Sequence, residues 1–192
     1  VIWVQITCNL LRQRPAQAFF AEEAAQSVAI IVRVPLASGL LTGKMTADST
    51  FAADDHRSFN RNGAAFDKGE TFSGVPCDAA LAAVDELRPL VPEGVTMAAF
   101  ALRRILMEQA AAIVIPGSKS PAQSVGNAAR LSLPPLTAET MAAARDVYDG
   151  LTTPYVHRHW QVRAGPGPGL IRENPHFRQI GQPKAQCAKR RQ

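Results

Sequence analysis

Ile113-Val114-Ile115-Pro116-Gly117-Ser118-Lys119-Ser120-Pro121-Ala122-Gln123-Ser124-Val125-Gly126-Asn127 is the stretch on which the reading of this chain turns. Ala112 to Ile115 is a short apolar run of strand type, and Pro-Gly-Ser-Lys follows it directly. Ser120 to Gln123 reads S-P-A-Q, a capping-box spacing with proline at the first helical position, so a helix begins immediately after the strand. Such a start offers free N–H donors and the positive end of the helix dipole, and both suit an anion. Gly117 permits close backbone approach, Ser118 adds a hydroxyl, and Lys119 adds a full charge. Together they point to a phosphate. The same residue types also serve solubility and capping at many strand–helix turns, so local chemistry alone leaves both readings open.

Outward from this turn, strand and helix patterns alternate. Val1–Cys8 is rich in β-branched residues and predicts a strand. Pro15 opens a helical stretch, PAQAFFAEEAAQ, and Val28–Val34 is an apolar run expected of a strand buried on both faces. Asp78–Leu90 carries apolar residues at Leu81, Val84, Leu87 and Leu90, which predicts a helix. Thr96 caps a second helix, Met97–Glu108, whose apolar face (Met97, Phe100, Ala101, Ile105) is interrupted by Arg104. Thr137–Asp149 predicts a last amphipathic helix with Met141, Ala144, Val147 and Tyr148 on one side and Gly150 as its stop. The alternation argues for a parallel α/β architecture with right-handed crossovers. Between Pro35 and Pro76 periodicity disappears, and a loop of that length inside a domain is usually functional or disordered.

The 192 residues suffice for one domain with a sizeable core. The net charge of +5 belongs to the end of the chain. Residues 161–192 hold seven Lys/Arg against the single acid Glu173, which leaves 14 bases and 15 acids in residues 1–160. Nucleic-acid binding by the fold itself is therefore not expected. Residues 161–192 also contain GPGPG and no apolar period, so they are expected to be a disordered tail, serving as an interaction arm or standing outside the fold. Three cysteines (Cys8, Cys77, Cys187) without ligand spacing argue against a disulfide framework or zinc site and suit a cytoplasmic location. The opening Val1-Ile2-Trp3-Val4 is too short for a membrane span or signal peptide. Its start inside an apolar run fits processing or a chain truncated within a strand.

Several segments together resemble one family. VPLASGLLTGK (Val34–Lys44), DDHRSFNR (Asp54–Arg61), TMAAFALRRILM (Thr96–Met107), IPGSKSPAQSVGNA (Ile115–Ala128) and VHRHW (Val156–Trp160) are similar to the C-terminal half of aldo-keto reductases. The likeness is greatest to bacterial members of the branch that includes stress proteins and potassium-channel β-subunits. It covers about residues 1–160 in order, and residues 161–192 take no part. The resemblance implies a partial (β/α)8 TIM barrel of class α/β, with Val1–Cys8, Val28–Val34 and Ala112–Ile115 as strands six, seven and eight. It implies NADPH bound across the C-terminal ends of the strands, where barrel enzymes keep their active sites.

By the same resemblance Gln5 would bond the nicotinamide carboxamide and Arg33 would stack on the ring. Leu36, Ser38 and Gly39 would hold the pyrophosphate, and Leu40 to about Pro76 would fold over the cofactor. Gly117, Ser118, Lys119, Gln123 and Asn127 would form the adenosine and 2′-phosphate site, where a cation favours NADPH over NADH. Three positions depart from the family pattern. Gln123 stands where many members have an arginine, Gly126 where some have an acid, and Arg104 where a tryptophan is usual. A charge at Arg104 is expected to cost stability unless the guanidinium snorkels outward.

The family's chemistry needs a tyrosine proton donor tuned by a lysine and an aspartate, with a histidine orienting the carbonyl. No such set stands in this chain, so it is expected to hold cofactor residues without catalytic ones. It would then be inactive alone, as part of a reductase of aldehydes or ketones. Two alternatives are a non-catalytic NADPH-sensing module and a nucleic-acid-binding protein acting through its basic tail.

Overall fold

The computed structural model describes residues 3–21 and 27–157. In chain order its elements are β1 (Trp3–Thr7), α1 (Arg14–Ala18), β2 (Ala29–Arg33), α2 (His56–Phe59), α3 (Cys77–Leu87), α4 (Met97–Leu106), β3 (Ala111–Val114), α5 (Pro121–Ala128), α6 (Ala138–Val147) and α7 (Thr153–Val156). The three strands form one parallel sheet in the order β1-β2-β3. The expected α/β class with parallel strands is therefore present; β1 and β2 lie within their expected segments, and β3 starts one residue earlier than expected, at Ala111.

Burial explains the strand patterns. Ile30, Ile31 and Val32 of the central strand are all buried, as an unbroken aliphatic run in a middle strand requires. On one face Ile6, Ile30 and Val32 pack with Phe20 and with Ile105 of α4. The opposite face is open among the described residues, and there Trp3 is 63% and Ile113 52% exposed. A second core lies between the helices. It joins Val84 and Leu87 of α3, Phe100 of α4 and Tyr148 to Leu40, Leu41 and Phe72 from the long segment after β2.

That segment has no strand but is far from structureless. It contains short 3-10 turns at Ala37–Thr42, Lys68–Glu70 and Phe72–Gly74 around α2. The buried Asn60 organises its middle, donating to Thr71 Oγ1 at 3.1 Å and accepting from the Ala65 and Phe66 amides at 2.9 and 3.0 Å. A polar loop here acquires a polar core, which is why it lacks apolar periodicity.

The helical stretch opened by Pro15 begins as α1, and residues 22–26 lie outside the described residues. Two expectations need correction. Gly150 does not stop the last helix. The chain widens into a π-turn over Tyr148–Thr152 and continues into α7. The hydroxyls of Thr152 and Thr153 both donate to the Tyr148 carbonyl at 3.1 Å, satisfying an acceptor near the widened turn. Finally, Arg104 does not snorkel outward. Its side chain is 2% exposed, its Nη1 lies 2.5 Å from Glu108 Oε1, and its Nη2 donates to Gln13 Oε1 at 3.0 Å. Buried partners replace water, so the charge is accommodated inside. Residues 158–192, including most of VHRHW and the expected tail, lie outside the described residues.

Among the described residues, no helix is long and apolar enough to cross a membrane, and no group of His, Cys, Asp and Glu could hold a metal ion.

Candidate functional site

The sheet's carboxyl ends carry the site. The chain leaving β2 passes through Val34, Ala37, Ser38 and Gly39, all with positive φ, and φ reaches +99° at Gly39. Three non-glycine residues in this region are a backbone cost of the kind that surrounding structure must hold in place. The holding contacts converge on Ser38. Its hydroxyl donates to the Glu70 carbonyl at 3.2 Å, accepts from the Phe72 amide at 3.2 Å, and lies 3.4 Å from His56 Nε2. Asn9 adds a second tie, donating to the Val34 carbonyl at 2.9 Å and to Ser73 Oγ at 2.6 Å. The long segment is thus fastened beside the β2 exit.

At the β3 exit the capping box forms with one change. Ser120 Oγ accepts from the Gln123 amide at 3.3 Å, but Gln123 Oε1 reaches back to the Lys119 amide at 2.6 Å, one residue beyond the cap. Asn127 Nδ2 donates to Ser118 Oγ at 3.0 Å, closing the turn from the other side. Where a side chain at Gly117 would begin, no heavy atom lies within 4 Å, so bare backbone faces open space.

Between the two exits lies a groove of about 900 Å³. Eight of the ten residues singled out in the sequence line it. Leu36, Ser38 and Gly39 come from the β2 side, and Gly117, Ser118, Lys119, Gln123 and Asn127 from the β3 side. Gln5 and Arg33 do not. Gln5 is exposed on β1 and registers with Ile31, and Arg33, two residues further along β2, shares that open face. Arg33 Nη2 is tied to Glu70 Oε2 at 2.8 Å, and Glu70 itself lines the groove.

The structure adds residues that the sequence reading left unassigned. Lys44, His56 and Arg57 reach the groove from the segment after β2, and Arg130 reaches it from beyond α5. Lys44, His56 and Arg57 stood within stretches already quoted, but nothing in their spacing separated groove residues from loop surface. Arg57 is committed to Asp55, whose carboxylate also caps α2, and its guanidinium lies 4.2 Å from the centre of the Phe51 ring. These hydrogen bonds from Arg57 hold the Asp55 carboxyl well below the usual carboxylate range. The groove wall is therefore rich in cations, with Glu70 its only acid among the described residues. An anionic, extended ligand fits this donor set; a cationic one does not.

The sequence model of the Aldo/keto reductase family matches residues 1–149. A glycerol dehydrogenase from Gluconobacter oxydans is similar in structure, with a TM-score of 0.60 and 27% identity, over 88% of this chain and 46% of that one. An aldo-keto reductase from Bacillus halodurans, in its holo form, is similar in fold, with a TM-score of 0.54 and 20% identity, over 77% of this chain and 42% of that one. The chain thus spans less than half the length of the solved structures it matches. No curated protein matches it.

Proposed function

The chain belongs to the aldo/keto reductase family, whose members use NAD(P)H and act on small carbonyl compounds, and on that premise we propose that it carries the NADPH-binding portion of an aldehyde or ketone reductase. One observation carries this reading. The groove gathers eight of the ten residues assigned to the cofactor by resemblance, and Lys119 stands in it without a carboxylate partner among the described residues. Bound there, NADPH would supply the hydride.

The chain's own residues hold and orient. The bare backbone at Gly117 and the hydroxyl of Ser118 receive the adenosine end, with Lys119 as the charge partner of its 2′-phosphate. Leu36, Ser38 and Gly39 border the pyrophosphate, and the segment from Leu40 to Pro76, fastened through Ser38, covers it. Gln5 and Arg33 face the nicotinamide from the open side of the sheet. For Arg33 to stack on the ring it must exchange its tie to Glu70. The sheet placing these residues serves as strands six to eight of the barrel, and residues 1–160 as the reductase portion.

On this reading the tyrosine proton donor is not among the described residues. The chain's two tyrosines, Tyr148 and Tyr155, stand apart from the groove, and Tyr148 is fully buried. The exposed apolar residues Trp3 and Ile113 on the open face are where the rest of a barrel sheet would pack.

Equilibrium titration of the purified chain with NADPH and NADH, followed by nicotinamide fluorescence, tests the reading. NADPH should bind more tightly, and Lys119→Ala should weaken NADPH by about tenfold or more while leaving NADH nearly unchanged. Equal affinities for the two cofactors in the unaltered chain would refute it. In a separate assay with a reactive aldehyde, NADPH oxidation above background would refute the expectation that this chain is inactive alone.

A further inference from the structure

Gly126 occupies the interior of α5, where glycine weakens a helix relative to alanine. Its φ is not positive, so the backbone does not require glycine there. Among the described residues, and apart from the helix's own backbone, the one heavy atom within 4 Å of where a Cβ would begin is Nη2 of Arg130, at 3.6 Å. Arg130 lies one turn further on, in the 3-10 turn Ala129–Ser132, and is half-buried. Its guanidinium is folded back over the bare backbone of Gly126.

The placement is directional. Gln123, Gly126, Asn127 and Arg130 share one helical face, Gly126 and Asn127 lying three and four residues after Gln123 and Arg130 four and three after them, and all four line the groove with Lys119. Val125, on another side of the same helix, is 70% exposed and does not line it. Along this stripe the two amide side chains are already engaged, Gln123 with the Lys119 amide and Asn127 with Ser118. The other arginines at or beside the groove are engaged as well, Arg33 with Glu70 and Arg57 with Asp55. Among the described residues Arg130 has no carboxylate partner, and neither does Lys119.

Resting on the reading of the groove as an NADPH site, we infer that Arg130 is a second charge partner of the adenosine 2′-phosphate and determines the preference for NADPH jointly with Lys119. A phosphate dianion is matched poorly by one ammonium, whereas a planar guanidinium adds two parallel donors and a flat face beside the base. Gly126 is the companion of this role. A longer side chain at that position would displace the guanidinium, and an acidic one would neutralise it. Gln123 spends its Oε1 on the Lys119 amide, and the Nε2 donor that remains carries no charge to set against a phosphate.

The test uses the full chain and two probes that differ only in the group at issue, adenosine 2′,5′-bisphosphate and adenosine 5′-monophosphate, with binding read by calorimetry. Arg130→Ala should weaken the bisphosphate by about tenfold to a hundredfold, the scale of one charge-assisted hydrogen bond, and leave the monophosphate within about twofold. Gly126→Glu, which keeps Arg130 and a better helix former, should reproduce the loss through an i,i+4 ion pair, and a far-UV melt establishes that it folds. If Lys119→Ala abolishes the preference while Arg130→Ala and Gly126→Glu retain it, the inference about Arg130 is overturned and the cofactor reading stands. If the unaltered chain binds the two probes equally or neither, the cofactor reading fails and the inference falls with it.

Discussion

Removing Glu108 should destabilise this fold far more than removing the arginine it neutralises. Arg104 projects from α4 into the interior with 2% of its side chain exposed, and its charge is met by Glu108 at 2.5 Å. Glu108→Ala leaves that guanidinium buried without its counter-charge, with only the neutral Gln13 Oε1 still accepting from it among the described residues. Breaking a buried pair from one side costs about 3–5 kcal/mol. Glu108 keeps 23% exposure, so water can reach part of the vacated space and the lower end, about 3 kcal/mol, is expected. Arg104→Met removes the charge together with Nε, which has no partner at all. It leaves Gln13 Oε1 unpaired and the part-exposed Glu108 carboxylate to water, at about 1–2 kcal/mol, and Gln13 Nε2 still donates to the Leu10 and Ala144 carbonyls at 3.1 and 3.0 Å. The double variant should be no less stable than Arg104→Met alone, giving a coupling of about 3 kcal/mol. Urea unfolding followed by far-UV circular dichroism, with ΔG extrapolated to water, measures all three. An additive double variant, or a Glu108→Ala cost below about 0.5 kcal/mol, would refute the claim that Arg104 is held inside by charge pairing.

Other consequences can be checked more briefly. Ser38→Ala removes the hydroxyl that joins Glu70, Phe72 and His56, and should speed amide hydrogen exchange of Phe72 at least tenfold, about 1.4 kcal/mol of local opening, while the strand amides are unchanged. Asp55 contributes stability that is present above the unfolded carboxyl value and lost as pH falls through its depressed folded value. Asp55→Asn should therefore cost about 1–2 kcal/mol at pH 7 in urea unfolding, and the two proteins should converge as the pH drops below about 4. Burial pushes the Cys8 thiol up to about 12 and leaves it 1% exposed. In a Cys77→Ser, Cys187→Ser variant, a disulfide reagent at pH 8 should label nothing until urea unfolds the chain, and labelling of the folded protein would contradict this. Gly39→Ala should destabilise by about 1–2 kcal/mol, because φ is +99° and the added methyl would press on Met45 Cε at 2.9 Å.

What the sequence determined by itself is local. The S-P-A-Q spacing requires a helix at Ser120, the aliphatic run at Val28–Val34 requires a strand buried along its middle, and Thr96 and Thr137 cap the helices that follow them, as their side chains do. Each of these is dictated by neighbours within a few residues. The groove's eight foreseen residues were legible through the family resemblance, carried by two short segments that each follow a strand.

The rest depended on contacts between distant parts of the chain. Arg104 stays inside because Gln13, 91 residues away, is there to accept from it, and no periodicity along a helix can reveal that. The helix runs past Gly150 because two threonine hydroxyls repair the widened turn. Ser38 became the fastening of a long segment because the Glu70 carbonyl and Phe72 amide, more than 30 residues on, come to its hydroxyl. Arg130 gave no signal in the sequence. Its position follows from the absence of a side chain at Gly126 and the depth of the groove, and the space that a missing atom leaves is visible only once the chain around it has folded.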